Sequence, residues 1–157
     1  MTIYTDGACL GNPGPGGYGV VLLYNDHRKE ISGGFRLTTN NRMEIYAAIA
    51  GLSVLNCSCE VTLFTDSRYL ADAMNKGWVR RWKANGWMRN NRDKALNVDL
   101  WERLLELCER HKVKFVWVKG HDGNPENERC DELSTSAARL SDLPADEGYE
   151  RSVKKGK

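Results

Sequence analysis

Apolar and polar positions alternate over Thr2-Ile3-Tyr4-Thr5, a run rich in β-branched and aromatic residues, and the run ends on Asp6. The same pattern returns sixty residues later as Thr62-Leu63-Phe64-Thr65, ending on Asp66. Both stretches read as strands that deliver an aspartate at the C-terminal end. Between them, Tyr18–Tyr24 and Glu30–Arg36 read as two further strands separated by a polar turn at Asn25–Lys29. The short connections make the first three strands an antiparallel meander. The glycine- and proline-rich run Gly11–Gly17 reads as a turn that is neither helix nor strand.

The spacing then changes from two to three and four. Thr38-Thr39-Asn40-Asn41 opens a helix whose apolar face includes Met43, Ala47, Ala50 and Val54, widened by Ile45, Ile49 and Leu52. Helices are also predicted over Ser67–Met74 and Val79–Ala84, the second closed by Gly86. Asp99-x-x-Glu102 has capping-box form ahead of a stripe of Leu100, Trp101, Leu104, Leu105 and Cys108. Lys114–Val118 predicts a fifth strand and Gly120–Asn127 a polar loop with Pro125. A last helix is marked by Cys130, Leu133, Ala137 and Leu140, and the residues after it read as a loose tail with a basic end. Because a helix joins the strands that end on Asp6 and Asp66, they run parallel with a right-handed crossover. If they are neighbours, both carboxylates emerge at the end of the sheet where α/β folds bind ligands.

A chain of 157 residues suits one domain. It has no apolar run long enough to span a membrane, and strand one begins at residue two, leaving no room for a signal peptide. Five cysteines, without the spacing of a metal knuckle or redox pair, read as reduced thiols of a cytoplasmic protein. The net charge of +2 hides an asymmetry. Lys76–Lys94 holds seven basic side chains against the single acid Asp93, a net +6, which leaves −4 for the rest of the chain. Trp78, Trp82 and Trp87 lie in the same segment, a composition that fits a polyanion held at one place.

Each acid has an ordinary structural reading: Asp6-Gly7 as a turn pair, Asp66 as a helix cap, Glu44 as the partner of Asn41 in a capping box, Asp131 as a solvated helix position. Taken together, Asp6 and Asp66 at parallel strand ends and Glu44 in the first turn of the connecting helix form an oxygen-ligand set. Such a set suits a hard ion such as Mg²⁺.

These residues sit in longer runs: Thr5-Asp6-Gly7, Gly11-Asn12-Pro13-Gly14, Thr39-Asn40-Asn41-Arg42-Met43-Glu44, Thr65-Asp66-Ser67, Asn97-Val98-Asp99-Leu100-Trp101, Val118-Lys119-Gly120-His121 and Asn127-Glu128-Arg129-Cys130-Asp131. From Thr5 to about Ala138 the chain resembles a bacterial type 1 ribonuclease H. The resemblance implies an α/β fold with a mixed five-stranded sheet in order 3-2-1-4-5, strand two antiparallel, flanked by helices. It implies a catalytic domain over 1–140 with a basic protrusion at about 76–94, followed by a flexible tail over 141–157. The implied activity is endonucleolytic hydrolysis of the RNA strand of RNA/DNA hybrids, leaving 3′-hydroxyl and 5′-phosphate ends.

By motif, Asp6, Glu44, Asp66 and Asp131 correspond to the metal-binding carboxylates for two Mg²⁺ ions, with Mn²⁺ a possible substitute, and His121 to a catalytic proton carrier. Cys9, Asn12, Asn40 and Asn41 correspond to RNA-strand contacts. Thr39 and Asn97 match a pocket for a DNA phosphate, and Trp78 and Trp82 a groove under the DNA sugars. Arg80, Arg81, Lys83 and Arg89 belong to the protrusion. Relatives often carry an arginine two residues before the pocket threonine, where this chain has Leu37 beside Arg36. They commonly have a small residue after the histidine, where this chain has Asp122. A carboxylate in contact with the imidazole would raise its pKa. The resemblance implies a monomer with the hybrid as substrate and no membrane partner. Two other classes are a non-catalytic nucleic-acid-binding module and another metal-dependent nuclease or strand-transfer enzyme of the same fold. The full carboxylate quartet distinguishes the chain from the first. The protrusion together with Asn12, Asn40 and Asn41 distinguishes it from the second.

Overall fold

The computed structural model describes residues 1–155. Five strands form one sheet in the order β3-β2-β1-β4-β5. They are β1 (Thr2–Cys9), β2 (Gly14–Tyr24), β3 (His27–Thr38), β4 (Glu60–Thr65) and β5 (Lys112–Trp117). β1 pairs antiparallel with β2, and β2 with β3, as the short turns require. β1 pairs parallel with β4 and β4 with β5, with Thr5 opposite Thr65. Strand one does not end on Asp6 as expected but runs on to Cys9, held by its pairing with β2, and the parallel register sets Asp6 beside Asp66, which lies just past β4.

One face of the sheet is covered by α1 (Asn40–Ser53), with α4 (Val98–Arg110) packed beyond it. α1 is buried along most of its length through Met43, Ile45, Ala47, Ala48, Ile49 and Leu52, because it is sandwiched between sheet and helix. Ala50 and Val54, expected in the same apolar face, are only partly covered or exposed. Trp101 of α4 is fully buried. Cys108, expected in its stripe, is only half-buried. The other face is covered by α5 (Pro125–Ala138), which lies across β1, β2 and β3. α2 (Arg68–Asn75) packs against β4 and β5 and carries α3 (Trp78–Ala84).

The glycine-rich run expected to be a turn is strand from Gly14 onward. Tertiary packing outweighs local propensity there. A Cβ on Gly17 would stand 2.1 Å from the Ser134 carbonyl oxygen, so only glycine lets α5 rest directly on β2. At the α4 start no capping box forms. Asn97 takes the N-cap position with φ of 63° and no side-chain cap, and Asp99 is drawn to Arg42 instead. Pro125, expected in a loop, opens α5 behind the Asn124 cap, where its missing N–H costs nothing. Leu140, expected to mark that helix, lies beyond its end and is 63% exposed.

The loose tail expected over 141–157 is also corrected for the described residues. It holds α6 (Glu147–Lys155), preceded by the buried Asp146. Arg36 on β3 pairs with Glu150 of α6 at 2.9 Å, and the Arg36 N–H donates to the Pro144 carbonyl. Lys157 of the basic end lies outside the described residues.

Candidate active site

Asp6 is 5% exposed on β1, Glu44 is 3% exposed in the second turn of α1, and Asp66 is half-buried just past β4. One carboxylate oxygen from each lies within 4.8 Å of the others. The Gly7 N–H links two of them, donating to Asp6 Oδ1 at 2.9 Å and also to Glu44 Oε1. Glu44 is therefore turned toward β1. The α1 cap is supplied by Thr39, whose Oγ1 accepts from the Arg42 N–H at 3.2 Å, so the capping box expected from Asn41 to Glu44 does not form. Ser67, not Asp66, caps α2, which leaves the Asp66 carboxylate to the cluster.

Burial and the nearby Asp66 push the Asp6 carboxyl up to about 8. Burial, then Asp6, raises Glu44 well above the usual carboxylate range. Clustered acids in this state repel one another once ionised, and a cation among them relieves the repulsion. The donor set is all oxygen, from three elements, as hard divalent ions prefer. The residues present thus fit such an ion.

The cluster lines a cleft of about 520 Å³ that also includes Asp131, His121, Cys9, Asn40 and Asn41. Asp131 of α5 lines the same cleft, outside the set of three whose oxygens converge within 4.8 Å. His121 sits on the exposed loop after β5 with φ of 58°. That loop passes close to the cluster at Gly120, where a Cβ would meet Asp66 Oδ2 at 2.7 Å. Asp122 does not line the cleft and makes no hydrogen bond or ion pair with His121 among the described residues. The Cys9 thiol donates to the Gly14 and Thr38 carbonyls. Asn12 accepts from the Asn40 N–H at 3.1 Å, which ties the β1–β2 loop to the start of α1.

The residues expected to meet the DNA strand fall in two other places. Thr39 and Asn97 line a neighbouring cleft of about 880 Å³, which shares Asn41 with the carboxylate cleft. Trp78 and Trp82, their ring centroids 6.4 Å apart, line a groove with Arg81 and Arg89. Both tryptophans also pack partly on the core, Trp82 against Trp101 at 6.3 Å. Arg80, Arg81, Lys83 and Arg89 are exposed around them.

Three residues at these sites escaped the sequence reading. Arg68 and Tyr69, in the first turn of α2, line the carboxylate cleft. Arg68 stacks on Trp117 at 4.1 Å, and the Tyr69 hydroxyl accepts from Asn97 Nδ2 at 3.3 Å. Arg42 is buried beneath the neighbouring cleft and reaches Asn97 Oδ1 at 3.4 Å. The position of Arg68 and Tyr69 directly after Asp66-Ser67 is the available signal for the first two. A lone arginine in a largely apolar helix carries none for a role at the site.

Comparison with known proteins agrees with this architecture. The RNase H family profile matches residues 1–139. A ribonuclease H of Syntrophus aciditrophicus is 73% identical over 149 residues, covering 95% of this chain and 86% of that protein. A ribonuclease HI of Synechocystis is 59% identical over 150 residues, covering 95% of this chain and 94% of its own. Among solved structures, LC9-RNase H1, described as a type 1 RNase H with the type 2 active-site motif, superposes with a TM-score of 0.78 at 33% identity. That match covers 87% of this chain and 71% of the other. LC11-RNase H1, solved in complex with an RNA/DNA hybrid, gives a TM-score of 0.64 at 26% identity over 87% of this chain and 95% of its own. With a sheet in this order, an acidic cleft at the strand ends and these relatives, the chain belongs to the ribonuclease H family.

Proposed function

We propose that this enzyme hydrolyses the RNA strand of RNA/DNA hybrids at the cleft formed by Asp6, Glu44, Asp66 and Asp131, leaving 3′-hydroxyl and 5′-phosphate ends. The observation that carries the reading is the convergence of three carboxylates from β1, α1 and the end of β4 to within 4.8 Å. A module that only binds nucleic acid has no use for so costly an arrangement of buried like charges.

The four carboxylates would hold two Mg²⁺ ions, with Mn²⁺ able to substitute. When bound, such ions acidify the attacking water and neutralise charge on the leaving 3′-oxygen. The protein's own contribution is to fix the ligands. The Gly7 N–H holds Asp6 and Glu44 in register, and the strand pairing sets Asp66 beside them. His121, exposed at the rim of the cleft, carries a proton between solvent and the reacting phosphate.

Strand discrimination follows from the same surface. Cys9, Asn12, Asn40 and Asn41 offer amide and backbone partners to 2′-hydroxyls on the RNA strand. Thr39 and Asn97 take a DNA phosphate in the neighbouring cleft. The flat rings of Trp78 and Trp82 lie against deoxyribose, where an added hydroxyl lacks room. Arg80, Arg81, Lys83 and Arg89 supply charge for the backbone. Residues 1–140 form the catalytic domain, with the protrusion at about 76–94. We read the protein as a monomer of a reducing cytoplasm, which its five free thiols fit. Among the described residues, no helix is long and apolar enough to cross a membrane.

The test is the chemistry of the product ends. Products carrying 5′-phosphates and 3′-hydroxyls that a polymerase extends are expected. Cyclic 2′,3′-phosphate ends would point to attack by the 2′-hydroxyl and contradict the reading.

A further inference from the structure

The loop from α1 to β4 carries Cys57-Ser58-Cys59 at the end of the sheet opposite the carboxylates. β4 spans six residues, which separates the two ends by about 20 Å. Cys57 is exposed, Cys59 is half-buried, and their sulfurs lie 3.9 Å apart. The backbone beneath them is held on three sides. The Cys59 N–H donates to Nδ1 of the buried His111 at 3.1 Å, the Ser58 hydroxyl donates to the Arg110 carbonyl at 2.7 Å, and the Lys112 N–H donates to the Cys59 carbonyl at 2.9 Å. The backbone that carries the two thiols is thus fixed before any ligand arrives, which lowers the ordering cost of binding, and the Cys59 thiol rests on the Cys57 carbonyl at 3.2 Å, a bond a ligand would replace. They border an open groove of about 690 Å³ shared with Met1, Tyr24, His27 and Leu55.

The remaining cysteines stand apart. The Cys9 thiol is engaged with backbone carbonyls, the buried Cys130 thiol donates to the Tyr4 carbonyl at 3.2 Å, and Cys108 is half-buried on α4. Among the described residues, no third ligand atom from His, Cys, Asp or Glu completes a set with the Cys57 and Cys59 sulfurs. A tetrahedral zinc centre therefore lacks its ligands here. What remains is a two-sulfur chelate, and soft thiol ligands select soft, thiophilic centres.

We propose that Cys57 and Cys59 form a dithiol site for a trivalent thiophilic metalloid of the organoarsenical class. A hydrated arsenical, R–As(OH)₂, condenses with the two thiols. Two As–S bonds form and two As–O bonds break. Each thiol proton leaves on a hydroxide as water, and no electrons are transferred. The two sulfurs must close slightly from their resting separation, which side-chain rotation at the exposed Cys57 provides. Burial, and then the neighbouring thiol, hold the Cys59 thiol above its ordinary range. The thiol protons leave within the released water, whereas binding of a divalent ion releases them to solvent.

The experiment is intact-chain mass spectrometry with phenylarsine oxide in a phosphine reductant. One adduct per chain is expected on the parent, with two fewer thiols open to alkylation. Ethanedithiol should strip it, and an equal concentration of a monothiol should not. The adduct should be lost in Cys57→Ser and Cys59→Ser and kept in Cys108→Ser, with thermal melts confirming that each variant is folded. If Cys59→Ser does not fold, the exposed Cys57→Ser and the alkylation count on the parent decide the matter. Failure of the parent to form an adduct, or persistence of the adduct in a folded Cys57→Ser or Cys59→Ser, overturns the proposal. None of these readings depends on nuclease activity.

Discussion

The guanidinium of Arg42 is gripped by the carboxylate of Asp146, Nε to Oδ2 at 2.8 Å and Nη2 to Oδ1 at 2.9 Å. Both groups are buried, and Arg42 also pairs with Asp99 at 2.7 Å. One arginine thereby joins the first turn of α1, the start of α4 and the entry to α6, directly beside Asn97.

Removing one member of a buried pair leaves the other charge uncompensated, which costs about 3–5 kcal/mol. Asp146→Ala is therefore expected to lower the unfolding free energy by at most about that amount, since Asp99 still pairs with Arg42, and to bring the urea midpoint down with an unchanged slope. It should raise KM for hybrid more than it lowers kcat, since Asn97 loses the support of a fixed Arg42. Equilibrium unfolding and steady-state kinetics on the same preparation check both effects.

Asp6→Asn should abolish cleavage while retaining hybrid binding, because the amide keeps the shape and loses the ligand charge. The metal-free stability has a defined pH dependence. A carboxyl raised on folding from 3.8 to about 8 binds more protons in the folded state, so its stabilisation is complete below about pH 4. That stabilisation is lost as pH climbs through about 8. Melts in EDTA from pH 5 to 9 should therefore fall for the parent and fall less for Asp6→Asn, while Mg²⁺ should restore the parent at the alkaline end.

The limits of reading this chain from its sequence follow from which forces act locally. β1 and β4 were legible because alternation and a terminal aspartate are both written in short segments. α6 was not, since its anchors are ion pairs from Asp146 and Glu150 to arginines more than a hundred positions away, with little apolar stripe to announce a helix. The strand at Gly14–Gly17 was hidden because its glycines answer to neighbours outside the run, Gly17 to α5 over a hundred residues downstream and Gly16 to Thr38 and Met43. Asp99 resembled a cap until Arg42 claimed it. The carboxylate cluster was visible because Asp6 and Asp66 close two similar alternating runs and Glu44 falls near the start of the helix between them, although β1 continues three residues past Asp6. Arg68 and Tyr69 were missed because nothing local separates them from an ordinary helix turn.

The protrusion should supply affinity and not chemistry. Replacing Arg80, Arg81 and Lys83 by alanine is expected to raise KM, leave kcat nearly intact and flatten the log–log salt dependence of binding. Each lost phosphate contact should remove roughly 0.7–0.9 unit of slope. Binding measured across a salt series tests this directly.

The loop after β5 separates its two titratable neighbours. Among the described residues Asp122 makes no hydrogen bond or ion pair with His121, and it does not line the cleft, so Asp122→Ala should leave both the pH–rate profile and the Mg²⁺ midpoint in place. His121→Ala should lower kcat by about 10²-fold or more, in the range of a lost general acid–base group. Profiles of kcat against pH for the parent and the two variants distinguish the residues.

The central claim is that the Asp6–Glu44–Asp66–Asp131 cleft cuts only the RNA strand of a hybrid and needs a divalent ion to do so. The most direct test presents end-labelled RNA/DNA hybrid, duplex RNA, duplex DNA and each single strand to the parent and to Asp66→Asn, with Mg²⁺ or with EDTA. The account predicts internal cuts in the RNA of the hybrid alone, with Mg²⁺ and the parent enzyme alone. Cleavage that persists in EDTA or in Asp66→Asn, or equal cutting of duplex DNA, would contradict it.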